Sequence, residues 1–83
     1  MSLNPTWTVA RIARDRILKN KNRKQLLEVY QKILENSAIA ANDSLKEQQL
    51  RLSGLVIKQD GQLKVHNRIY ESIFNQDWIQ SVA

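Results

Sequence analysis

The chain has no cysteine, one proline, two glycines and a single histidine among its 83 residues. Each shortage removes a class of explanation. Without cysteine there is no disulfide staple, no thiolate nucleophile and no soft metal ligand, a usage that fits a reducing, cytoplasmic location. His66 alone falls short of the ligand set that a zinc site draws on. Gly54 and Gly61 stand apart, so no glycine-rich phosphate cradle forms around them. No apolar run reaches the roughly 18 residues of a membrane span. The N-terminus also lacks the basic stretch and apolar block of an export signal. A chain this short buries only roughly 60–65% of the surface that its unfolded form exposes, so its core is thin.

What is present begins with charge. The net +5 is unevenly placed. Residues 11–24 hold Arg11, Arg14, Arg16, Lys19, Lys21, Arg23 and Lys24 against Asp15 alone, a local +6. Residues 25–83 hold six basic and seven acidic groups, a net −1. Charge gathered in this way attracts polyanions or acidic surfaces without sequence preference. Arg11, Arg14, Lys19, Lys21, Arg23 and Lys24 are therefore the candidate contacts to a polyanion or an acidic partner.

Few glycines and prolines favour long helices. Residues 1–6 read as a loose lead-in and residues 7–83 as one domain. Thr6 or Thr8 is placed to cap a helix over about 7–19, whose apolar set is Val9, Ile12, Ala13 and Ile17. Arg16 falls inside that apolar arc. The KNKN run at 19–22 ends it, with Asn20 or Asn22 as a stop or as the next cap. Residues 23–35 form the clearest helix, with Leu26, Leu27, Val29, Tyr30, Ile33 and Leu34 on one arc. Ile39, set among small residues, suits a brief edge strand. Asp43 or Ser44 caps a third helix to about Ser53; Ser44 and Glu47 have the capping-box spacing, and Gly54 supplies a left-handed stop. Leu45, Leu52 and Leu55 are the expected core face of that helix. Gln48 and Gln49 interrupt it, and either the helix packs only its ends or the glutamines meet a partner.

Asp60-Gly61 between LVIKQ and QLKVH predicts a two-residue hairpin turn that pairs Val56 with Val65, Ile57 with Lys64 and Lys58 with Leu63. Asn67 then caps a final helix to about Val82, carrying Tyr70, Phe74 and Trp78 at successive turns. The expected fold class is α+β: three helices, a β-hairpin wing and a closing aromatic helix. Leu26, Tyr30, Ile33, Leu34, Leu52, Leu55, Val65, Ile69 and Phe74 are the expected core.

Catalysis needs a nucleophile with a base, paired carboxylates in a cleft, or a metal. His66 has no nearby serine, cysteine or carboxylate motif, so it reads as a partly exposed structural residue. The expectation is a protein that is no enzyme and takes no cofactor. Helix followed by hairpin is the outline of a winged helix, and sequence-specific DNA binding is the competing expectation. Such a reader sets a basic third helix in the major groove and a basic wing on the backbone. Residues 43–53 instead balance Lys46 and Arg51 against Asp43 and Glu47, and the wing sets Lys58 and Lys64 against Asp60. The basic cluster on the first helix has no evident alignment with the third. Weak, non-specific contact with nucleic acid through residues 11–24 fits this distribution better. Gln48, Gln49, Arg51, Tyr70 and Trp78 complete the candidate partner surface, and an exposed aromatic ladder would also permit self-association.

The strings RDRILKN, LLEVYQKIL and LRLSGLVIKQDGQLKVHNRIYESIFNQDWI are similar to the segment that follows the ATPase core in cyanobacterial AAA-like, STAND-type signalling NTPases. The resemblance runs from about Arg14 to Val82. Its most specific pieces are Leu50–Val56 and Asn67–Trp78. It implies a winged-helix-like domain that packs on the nucleotide domain of its parent protein and transmits that domain's state. The P-loop and Walker B acid of such proteins are absent here, so the resemblance implies no hydrolysis by these residues. A chain that starts MSLNPT and stops after its last helix reads as an excised domain, with a free-standing small protein as the alternative.

Overall fold

A computed structural model describes the backbone of residues 5–82 and the side chains of residues 10–82. Helix α1 spans Pro5–Leu18 and α2 spans Arg23–Asn36. Strand β1 is Ile39–Ala40, and α3 is Leu45–Ser53. The hairpin strands β2 (Val56–Gln59) and β3 (Gln62–Val65) lead into α4 (Arg68–Ile73) and α5 (Gln76–Val82). The class is α+β, a helical domain with a small antiparallel sheet in the order β1-β3-β2.

The first helix starts earlier than its spacing predicts. Pro5 opens it, a position where proline's missing N–H is no loss. Thr6 and Thr8 therefore lie within the helix and not ahead of it; their side chains, that of Val9 and residues 1–4 of the expected lead-in fall outside what is described. The hairpin forms in the predicted register, with Val56 opposite Val65, Ile57 opposite Lys64 and Lys58 opposite Leu63. Asp60 and Gly61 both take positive φ, 54° and 75°, as the two-residue turn demands. Ile39 is indeed an edge strand, pairing with Leu63, and beyond it the Ala41 amide donates to the Gly61 carbonyl at the hairpin tip (2.8 Å).

The expected closing helix is two helices. Phe74 leaves the helical region (φ −100°, ψ 63°), and Asn75 starts α5 by accepting from the Trp78 amide at 3.0 Å. The carbonyl freed at Phe74 does not go unpaired, because the buried Tyr30 hydroxyl donates to it at 2.6 Å. The break leaves the aromatic ladder continuous: Tyr70 meets Phe74 edge-on at 6.1 Å, and Phe74 meets Trp78 at 4.8 Å.

The core gathers Ile17, Leu26, Tyr30, Ile33, Leu50, Leu55, Leu63, Tyr70 and Phe74 between the helices and the inner face of the sheet. Four expectations about apolar residues are overturned. Leu45, Leu52, Ile12 and Ile69 are all exposed. Leu34 and Val65 sit half-buried at the edge of the core, not within it. Leu50, Val56 and Leu63 take the places that those residues were assigned. No helix of the described residues is long and apolar enough to cross a membrane.

Candidate functional site: the outward face of the third helix

Helix α3 is fastened at both ends. At its start, Ser44 is the cap, accepting from the Glu47 amide at 3.3 Å; Asp43, the other candidate, has φ 55° and caps nothing. The Glu47 carboxylate, only 3% exposed, reaches back to accept from the amides of Asn42 (2.6 Å) and Asp43 (2.7 Å). This is a capping box displaced into the preceding loop, and it satisfies an otherwise costly buried charge with two charge-assisted hydrogen bonds. Lys58 of β2 adds a 3.0 Å ion pair to Asp43. That hydrogen bond, more than the lysine's charge at a distance, holds the Asp43 carboxyl below its ordinary value.

At its far end, Gly54 adopts the left-handed stop (φ 88°) and donates to the Arg51 carbonyl. A Schellman ending would next send the Leu55 amide to the Leu50 carbonyl. Here the Ser53 hydroxyl stands between them, accepting from Leu55 at 3.2 Å and donating to Leu50 at 2.6 Å. Exposed His66 closes the same corner, its Nδ1 lying 3.0 Å from the Gly54 carbonyl. The contact joins the end of the hairpin to the end of α3.

With Glu47, Leu50 and Ser53 turned inward, the opposite stripe must face out. Leu45, Gln48, Gln49 and Leu52 occupy it at helical spacing, and the two leucines are 64% and 74% exposed. The glutamines interrupt no core face; they sit in the middle of a surface. Gln48 donates to the Asp43 carbonyl, and Gln49 accepts from the Asn20 amide group, both at 3.3 Å.

The basic segment is nearer to this face than the charge pattern suggests. Arg16, the misfit of the first helix's apolar arc, donates to the Leu52 carbonyl at 2.8 Å, a cation at a helix C-terminus. Together with Asn20–Gln49, this contact shows α1 running antiparallel to α3 along the edge of the face. The expectation that the cluster stands apart from the third helix is corrected. The cluster is also divided. Lys21, Arg23 and Lys24 line a shallow basin at the α1–α2 turn that shares Asn20 with the face. Arg11 and Arg14 turn instead to an apolar groove floored by Phe74 and Trp78, where Arg14 is paired with Asp15 at 3.3 Å. Lys19 is exposed beside Asn20.

The hairpin does not extend this positive edge. Lys58 is paired to Asp43, and Lys64 lines a separate depression with Ile33, Leu34, Arg68 and Glu71. Of the other candidate contacts, Arg51 is half-buried on α3. Tyr70 is 3% exposed and belongs to the core, and Trp78 is half-buried against it. Among the described residues the ladder is buried at Tyr70 and Phe74 and opens only at the groove that Phe74 and Trp78 floor. Leu52 and Ile12 escaped notice because leucine and isoleucine at helical spacing read as core. One signal was available for Leu50: a glycine stop followed by leucine pairs that leucine with the residue five positions earlier.

Over 66 residues, 78% of the chain, the sequence is 52% identical to an uncharacterized WD repeat-containing protein of Synechocystis sp.. That is a similarity to a small part of a long protein. The chain spans about 6% of the length of this relative. Neither a family model nor a solved structure matches the chain.

Proposed function

We propose that the chain is a non-enzymatic interaction module of a larger protein. In finer terms, it is a winged-helix-like domain of an AAA-like, STAND-type signalling ATPase that packs on the nucleotide domain and transmits its state. The observation that carries this reading is the outward face of α3, which bears two exposed leucines and no net charge where a DNA reader needs cations. The helix–helix–strand–helix–hairpin order and the β1-β3-β2 sheet support the winged-helix description. The high identity to one small part of a long WD repeat-containing protein supports the setting within a larger chain.

The rival is a DNA-binding winged helix, favoured by the basic basin beside α3. Titration with random and defined duplexes at about 50 and 200 mM salt separates the two, because phosphate contacts make affinity salt-steep. The module reading expects weak, sequence-blind binding that disappears when Lys21, Arg23 and Lys24 are replaced by Glu. Tight binding that depends on Arg51, Lys58 and Lys64 would sink it. The surrounding reading frame tests the finer part: an upstream P-loop segment is expected, and its absence removes the ATPase from the proposal.

A further inference from the structure

We infer that the outward face of α3 and the adjoining end of α1 dock an acidic amphipathic helix of a partner protein or domain. The inference rests on the module reading and names the surface and the chemistry that the module would use. Leu45 and Leu52 lie two turns apart on α3, with Gln48 and Gln49 between them. On the antiparallel neighbour, Ile12 is 46% exposed one turn before Arg16, the residue bound to Leu52. Apolar points at this spacing match the anchors of a helix lying along the surface.

Charge selects the occupant. The apolar stripe is neutral, but one rim holds Lys19, Lys21 and Lys24, none in an ion pair among the described residues. Carboxylates flanking the partner's apolar stripe would meet that rim and raise its encounter rate. A second copy of this chain would bring the same cations together, which like-charge repulsion opposes. Duplex DNA would satisfy the rim yet leave both leucines with little to bury against, since base edges offer them only thymine methyls. The face is also rigid, because Glu47, Ser53 and Arg16 hold α3 at both ends. A preset surface avoids part of the ordering cost of binding.

The test titrates the whole chain with three labelled probes. One is a 20-residue amphipathic helix with leucines on one stripe and glutamates at its flanks; the second replaces the glutamates by lysines; the third is a 20-base-pair duplex. The acidic peptide is expected to bind at about 10–500 μM, more weakly as salt rises, with NMR shifts centred on residues 16–24 and 45–52. Leu45→Ala with Leu52→Ala should weaken it by about tenfold or more, and Lys21→Glu with Lys24→Glu by about threefold to tenfold. Both pairs are exposed, so unchanged circular dichroism will confirm that the variants fold. Equal binding of the lysine peptide, indifference to both variant pairs, or no binding at about 1 mM overturns the inference. Failure with the peptide while the duplex also binds weakly refutes the docking helix and leaves the module reading standing. A duplex bound tightly, with sequence preference, and lost on replacing Arg51, Lys58 and Lys64 while the peptide fails to bind refutes both.

Discussion

The two faces of α3 are built from alternating members of one nine-residue helix and have opposite fates. The inward face holds a carboxylate, a leucine and a serine, all buried and all hydrogen-bonded or packed. The outward face holds two leucines in solvent. Hydrophobicity alone would have assigned them the other way round. What decides is the ends of the helix: a glutamate needed to hold the entering loop and a serine needed to relay the exit bond must both face the core. The leucines one and two positions away are then rotated out. Capping fixed the rotation of this helix, and burial followed.

Substitutions that separate the faces should show it. The largest effect is expected at Leu50, whose side chain is fully buried: Leu50→Ala should cost about 2–5 kcal/mol in chemical denaturation, while Leu52→Ala changes stability by less than about 0.5 kcal/mol. Equal losses would mean that the faces are wrongly assigned. Next comes the polar member of the inward face. Glu47→Ala removes two charge-assisted bonds and should cost about 1.5–3 kcal/mol, with faster amide exchange at Asn42 and Asp43; a neutral result would make the displaced capping box incidental.

A smaller effect sharpens the contrast from elsewhere in the core. Tyr30→Phe leaves the Phe74 carbonyl without its donor, at a cost of about 1–2 kcal/mol. Burial first, and the charge of Glu71 second, push the Tyr30 phenol above its ordinary 10.0. Stability held by its neutral form is therefore complete below pH 10.0 and falls as the pH climbs beyond it. Absorbance titration should show a phenol that ionises only as helical dichroism is lost, and that step should be missing in Tyr30→Phe. The smallest effect belongs to the surface Asp43–Lys58 pair. Because the Asp43 carboxyl lies below 3.8 when folded, its contribution is present above that value and fades as the pH falls through the lower one. Asp43→Asn should flatten the acid limb of the melting temperature slightly and leave neutral pH almost unchanged; a large change at neutral pH would contradict the exposed geometry.

Much of the architecture could be read from residue order because local chemistry determined it. Asp60-Gly61 specified a turn and hence a register. Ser44, Glu47 and Gly54 marked the ends of α3, and Asn67 marked the start of α4. The split at Phe74 was also written locally, in an asparagine two residues before an aspartate, but an unbroken aromatic spacing masked it. Its stabilising partner, Tyr30, lies 44 positions away and could not be seen from the string. The candidate surface was harder. Gln48 and Gln49 pointed to it, yet its leucines read as core because periodicity gives a stripe without saying which side of it is covered. The closeness of the cations depended on Arg16 and Asn20 reaching across to α3, a tertiary fact.

The hydrogen bond from Ala41 to the carbonyl of Gly61 carries a mechanical consequence. A hairpin free at its tip can bend under load and keep the displacement to itself. This one is moored: Gly61 holds Ala41, and the next two amides, those of Asn42 and Asp43, are clasped by Glu47. Tip, loop and the first turn of α3 are thus tied through consecutive residues and not left as separate parts.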